Sequence, residues 1–132
     1  MTRLLLVTQF PDEQAIYGEA FRAEGFDVQV ADSPDDAFDS AMRTRPDVVV
    51  ARVPQANVLA PDSALLRRLK QDDDTRSVPV VILTSLMQPE HRAAAVDEGC
   101  DGYLLIPALP ETLIKEVRRV MGRRSSMAQR SA

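Results

Sequence analysis

The side chains able to do chemistry are few and poorly placed for it. His91 is the only histidine among 132 residues, and no carboxylate or cysteine stands at catalytic spacing from it. It reads as a solvated helix residue rather than a general base or phosphodonor. Cys100, the single cysteine, excludes an intramolecular disulfide and, with no Cys/His cluster, a structural zinc site. Between Gly99 and Asp101 it packs as a small apolar residue, with no electropositive setting to activate the thiol. Asp72, Asp73 and Asp74 lack the 12-residue calcium-loop pattern and read as a solvated turn. No glycine-rich phosphate loop follows the first apolar run, where Thr8-Gln9-Phe10-Pro11-Asp12 stands instead. With no nucleophile paired to a base, an enzyme is not expected.

The elements that must position any site are clearer. Leu4–Val7, Val48–Ala51 and Val80–Leu83 are short continuous runs of Val, Ile, Leu or Ala, the pattern of strands buried on both faces. Phe26–Val30, which alternates, and Tyr103–Ile106 are weaker and suit sheet edges. Between them the period becomes helical: Ile16/Tyr17/Ala20/Phe21, Ala37/Phe38/Ala41/Met42, Leu65/Leu66/Leu69, Ala93–Val96, and Leu113/Ile114/Val117/Val120/Met121. Ser33 before Pro34 reads as a cap and first helical residue, Pro110 opens the last helix, and Gly25, Gly99 and Gly122 sit where helices should stop. Strict alternation of strand and helix implies right-handed crossovers and a doubly wound α/β sheet, covered on both faces as a three-layer sandwich. At 45% hydrophobic and 27% charged residues the chain has the balance of one globular domain.

In such sheets, ligands bind beyond the carboxyl ends of the strands. The positions to inspect are therefore Thr8-Gln9-Phe10, Arg52-Val53-Pro54, Thr84-Ser85 and Ile106-Pro107.

Six segments in order, Leu4–Val7, Glu24-Gly25-Phe26, Arg45–Val50, Leu65–Leu69, Val78–Thr84 and Gly102–Pro107, make residues 3 to about 122 resemble the receiver domains of bacterial response regulators. The resemblance implies a flavodoxin-like (CheY-like) five-stranded parallel sheet in the order 2-1-3-4-5. A working receiver of that family carries two adjacent acids after strand one to hold Mg²⁺ and a phosphoacceptor aspartate at the end of strand three. It also carries a Thr or Ser after strand four and a lysine before a proline after strand five. Carried over, these fall on Thr8 and Gln9, Arg52, Thr84, and Ile106 before Pro107. Thr84 survives, as does the family's switch aromatic, at Tyr103. The connection from Arg52 to Leu65 is about two residues longer than the family's loop and lacks its glycine.

These losses compound. Mg²⁺ wants about six oxygens at roughly 2.1 Å, usually including carboxylates. Thr8 and Gln9 are neutral, and Arg52 adds a like charge that costs about 4 kcal/mol at roughly 4 Å and an effective dielectric of about 20. Arginine has no oxygen to accept a phosphoryl group, and Ile106 cannot pair with one as lysine does. Arg52 reads either as a tethered cation filling the metal position or as an exposed strand-end residue. Asp47 opens the third strand, roughly 16 Å from Arg52 at the opposite end of the sheet. Asp12 falls in the first turn of helix one, where the helix dipole alone favours an acid. The reading is a degenerate receiver with no cofactor and no bound Mg²⁺.

Arg118, Arg119, Arg123, Arg124 and Arg130 face no acid after residue 117; removing these five charges from the net −4 leaves −9 on the rest. They read as a solvated final helix followed by a flexible basic tail over 123–132, including Ser125 and Ser126. With no reading helix and 5% aromatic residues, nucleic acid is not the expected partner. The expected partner is another signalling protein, bound as in the family through the face of helix four, strand five and helix five, which carries Tyr103 and Pro107. The opening run is too short for a signal peptide or membrane span, so a cytoplasmic, reducing setting is expected.

Overall fold

The computed structural model describes residues 2–53, 61–85 and 89–131. Five strands, β1 (Arg3–Val7), β2 (Asp27–Ala31), β3 (Val48–Val53), β4 (Val80–Thr84) and β5 (Gly102–Leu105), alternate with five helices. These are α1 (Pro11–Ala23), α2 (Pro34–Thr44), α3 (Pro61–Gln71), α4 (Pro89–Asp97) and α5 (Pro110–Ser131). All four strand pairings are parallel, in the order β2-β1-β3-β4-β5, so the two weakest strand signals lie at the edges.

Side-chain alternation divides the core into two layers. Leu4, Leu6, Val50, Val81 and Leu83 meet Tyr17 and Phe21 of α1 and Leu113, Val117 and Val120 of α5. On the other face Leu5, Val49, Ala51, Val80 and Ile82 meet Ala37 and Ala41 of α2 and Leu65, Leu66 and Leu69 of α3. The sequence places the caps well at α2, where Ser33 Oγ accepts from the Asp36 backbone N–H at 3.2 Å with Pro34 in the first turn. Gly25 (φ 93°) and Gly99 (φ 104°) take the left-handed conformation that ends α1 and α4.

Three expectations need correction. Gly122 does not stop the last helix: α5 continues as backbone helix through the 123–131 segment expected as a tail. Gly122 is absent from the left-handed region, and a mid-helix glycine costs only about 1 kcal/mol, with the good helix formers Met121, Arg123 and Arg124 beside it. The α4 stripe is not a core stripe either, since α4 buries no residue fully and Val96 is 55% exposed. Ile16, counted with the α1 stripe, is likewise exposed. Three of the four residues Ala93–Val96 are alanine, so the stripe carries little apolar area. Of the long connection from Arg52 to Leu65, residues 54–60, which include Pro54, lie outside the described residues.

Candidate functional site at the carboxyl ends of the strands

Arg52 occupies the second-to-last position of β3, two residues beyond Val50 on the α1/α5 face and in register with Leu83 of β4. Its guanidinium therefore rises above the core layer at the centre of the strand ends. The side chain is only 11% exposed, and a cation so placed needs a counter-charge. Glu13, in the first turn of α1, supplies it: Arg52 Nε donates to Glu13 Oε2 at 3.1 Å. The other carboxylate oxygen, Oε1, accepts from the Thr8 hydroxyl at 2.8 Å. Thr8 Oγ1 in turn accepts from the Phe10 N–H at 3.2 Å, and the Phe10 ring lies 5.2 Å from the Arg52 guanidinium carbon, a cation–π contact. Gln14 Nε2 donates to the Thr8 carbonyl at 2.7 Å and to Asp32 Oδ1 at 2.9 Å, tying the end of β2 to the same network.

The structure brings Thr8 and Arg52 together through Glu13, while Gln9 is exposed. Ile106 is half-buried against the α1/α5 layer, its N–H donating to the Thr84 carbonyl at 2.9 Å; the Ile106–Pro107 peptide is cis and Pro107 is exposed. Thr84 is buried at the end of β4, and the neighbouring Ser85 Oγ is buried with no hydrogen-bond partner. Tyr103 is half-buried against the α2/α3 layer opposite Ile82 of β4, and burial, followed by Cys100, raises its phenol pKa. It lines a groove of about 500 Å³ with Arg92 and Val96 of α4 and Glu116 and Arg119 of α5. Beside it, burial and then Asp101 push the Cys100 thiol up to about 11, so it is not a nucleophile near neutral pH. His91 sits half-buried on α4, and Asp72 to Asp74 form a turn. Asp47 faces away at the start of β3, where its Oδ2 accepts from the Arg3 N–H at 2.8 Å.

Sequence reasoning missed Glu13. It treated first-turn acids only as partners of the helix dipole and weighed Asp12, which is exposed. The available signal was Arg52 itself, because a cation near the sheet centre implies a carboxylate in reach. Both oxygens of Glu13 are engaged, Thr8 and Gln9 are neutral, and the Arg52 guanidinium stands beside them. Among the described residues no group of three His, Cys, Asp or Glu side chains could hold a metal ion.

Residues 4–118 match the response regulator receiver domain family. The chain belongs to that family. This receiver is 31% identical over 130 residues, 98% of its length, to the transcriptional regulatory protein PrrA of Mycobacterium tuberculosis, and spans 54% of that protein. It thus spans about half the length of the curated relatives it matches over nearly its whole length. Among solved structures, it overlays the chemotaxis response regulator CheY4 of Vibrio cholerae with a TM-score of 0.83 at 23% identity, covering 91% of this chain and 98% of that one. A CheY-like receiver domain protein from Methanospirillum hungatei overlays with a TM-score of 0.85 at 14% identity, covering 96% and 98%. At those identities the overlays speak for the fold alone. The chain is thus the receiver domain of a two-component response regulator, a signalling domain, and no helix among the described residues is long and apolar enough to cross a membrane.

Proposed function

We propose that this receiver signals without aspartyl phosphorylation and without Mg²⁺, by binding another signalling protein through the face formed by α4, β5 and α5. The observation that carries the reading is the ion pair at the acceptor position. Arg52 stands where the family places its phosphoacceptor aspartate, and Glu13 and Thr8 complete a closed network around it. A displaced acid could in principle take over the acceptor role, and Glu13 is the acid nearest Arg52. Its two oxygens are held by a guanidinium and a hydroxyl, which lowers its nucleophilicity, and Ile106 offers no charge to a phosphoryl group. For the partner face, the groove beside Tyr103 offers an aromatic with a polar tip, Val96, and the paired charges of Glu116 and Arg119. A cytoplasmic setting accords with this role.

A ligand that binds only the folded state must raise the melting temperature by mass action. Millimolar Mg²⁺ should leave the melting curve of the unmodified chain where it is. An upward shift that saturates with Mg²⁺ would overturn the metal-free reading. For the partner face, a pull-down from the source cell should lose its specific partner on Tyr103→Ala; retention would place the interface elsewhere.

A further inference from the structure

We infer that the Glu13–Arg52 pair is a latch that fixes the loop leading into α5, with Glu13 acting as a positioning residue through Tyr17. Glu13 and Tyr17 are four residues apart on α1 and share one face of the helix. Tyr17 is 7% exposed, and its hydroxyl donates to the Ala108 carbonyl at 2.8 Å, 91 residues away in the chain. Ala108 immediately precedes Leu109, whose carbonyl accepts the N–H groups of Thr112 and Leu113 at 3.0 and 3.1 Å and so opens α5. The ion pair sets where the first turn of α1 stands over β3. That turn sets the Tyr17 ring, and the ring holds the backbone at the start of α5. A hydroxyl so buried keeps its one strong bond because losing it leaves an unsatisfied polar group.

The charges at the site reach the phenol as well as its backbone. Burial raises the Tyr17 pKa most and Glu13 raises it further, while the hydrogen bond to Ala108 and then Arg52 lower it. A short series joins the acceptor position to the start of α5: Arg52 to Glu13, one helical turn along α1 to Tyr17, and Tyr17 to Ala108. The latch depends on the ion pair and not on the absence of phosphoryl transfer. A phosphoryl adduct would therefore sink the reading proposed above and leave this one standing.

Amide hydrogen exchange at Thr112 and Leu113 reads the latch directly. It should be measured on the unmodified chain, Glu13→Gln, Tyr17→Phe and the double variant, with the amides of Leu5 and Leu6 in β1 as the reference for global unfolding. Each single variant should speed exchange at both α5 amides about threefold or more while the β1 amides keep their protection, and the double should match the larger single. A Glu13→Gln chain with unchanged exchange at both amides would overturn the latch, as would a double whose effect is the product of the singles. If Glu13→Gln loses β1 protection, Glu13→Gln combined with Arg52→Gln removes both charges together, and the same comparison with Tyr17→Phe applies.

Discussion

The two ends of the sheet use their charges in opposite ways. At the amino ends of the strands, carboxylates hold backbone. Asp47 Oδ2 accepts from the Arg3 N–H at 2.8 Å, and Asp101 Oδ2 accepts from the Val80 N–H at 2.8 Å and from Lys70 Nζ at 3.0 Å. Lys70 also donates to the Val78 carbonyl at 2.9 Å, so one cation and one carboxylate lock the starts of β4 and β5 to the end of α3. At the carboxyl ends the charged groups bond to other side chains: Arg52 holds Glu13, Glu13 is held by Thr8, and Asp32 accepts from Gln14, while the uncharged Thr8 and Gln14 also bond backbone. Charges bonded to backbone serve the fold, because losing them leaves main-chain donors unsatisfied. Charges bonded to other side chains serve the state of a site and can be exchanged with the fold intact.

That contrast predicts a graded series of effects. Asp101→Ala strips the Val80 N–H and Lys70 of their acceptor and should cost about 2 kcal/mol, roughly 8 °C in melting temperature for a chain of this size. Glu13→Gln leaves the mostly buried Arg52 without its counter-charge but keeps a hydrogen-bond acceptor, and should cost about 1 kcal/mol. Asp74→Ala breaks only a 4.0 Å pair with Arg45, whose side chains are 70% and 51% exposed, and should fall within about 0.5 kcal/mol of the unmodified chain. Urea denaturation with a constant m-value ranks the three. If Glu13→Gln proved costlier than Asp101→Ala, the division of labour between the two ends would be wrong.

Much of this was legible in the residues. Buried parallel strands announce themselves as unbroken runs such as Val80–Leu83, and the weaker Phe26–Val30 and Tyr103–Ile106 signals fell at the edges as expected, each displaced by one residue: β2 covers Asp27–Ala31 and β5 Gly102–Leu105. The family's motif positions located Arg52 and Thr8 because strand ends are fixed by local pattern. Glu13 was not legible in the same way, because a counter-ion is chosen by tertiary distance, and Asp12 and Glu13 look alike in sequence although only Glu13 turns inward to Arg52. The end of α5 was misjudged because a glycine marks a helix stop only where it takes a left-handed conformation, as Gly25 and Gly99 do. Val96 was misplaced because a period in small residues does not say whether a face has anything to bury against.

The central claim is most directly tested by intact-mass spectrometry of the unmodified chain after incubation with acetyl phosphate and Mg²⁺. No phosphoryl adduct should form. Arg52→Asp alone should stay inert too, because Thr8, Gln9 and Ile106 still supply neither metal ligands nor a cation. Combining it with Thr8→Asp, Gln9→Asp and Ile106→Lys should give metal-dependent labelling, which shows that the assay detects a competent site on this backbone. An adduct on the unmodified chain would contradict signalling without phosphate.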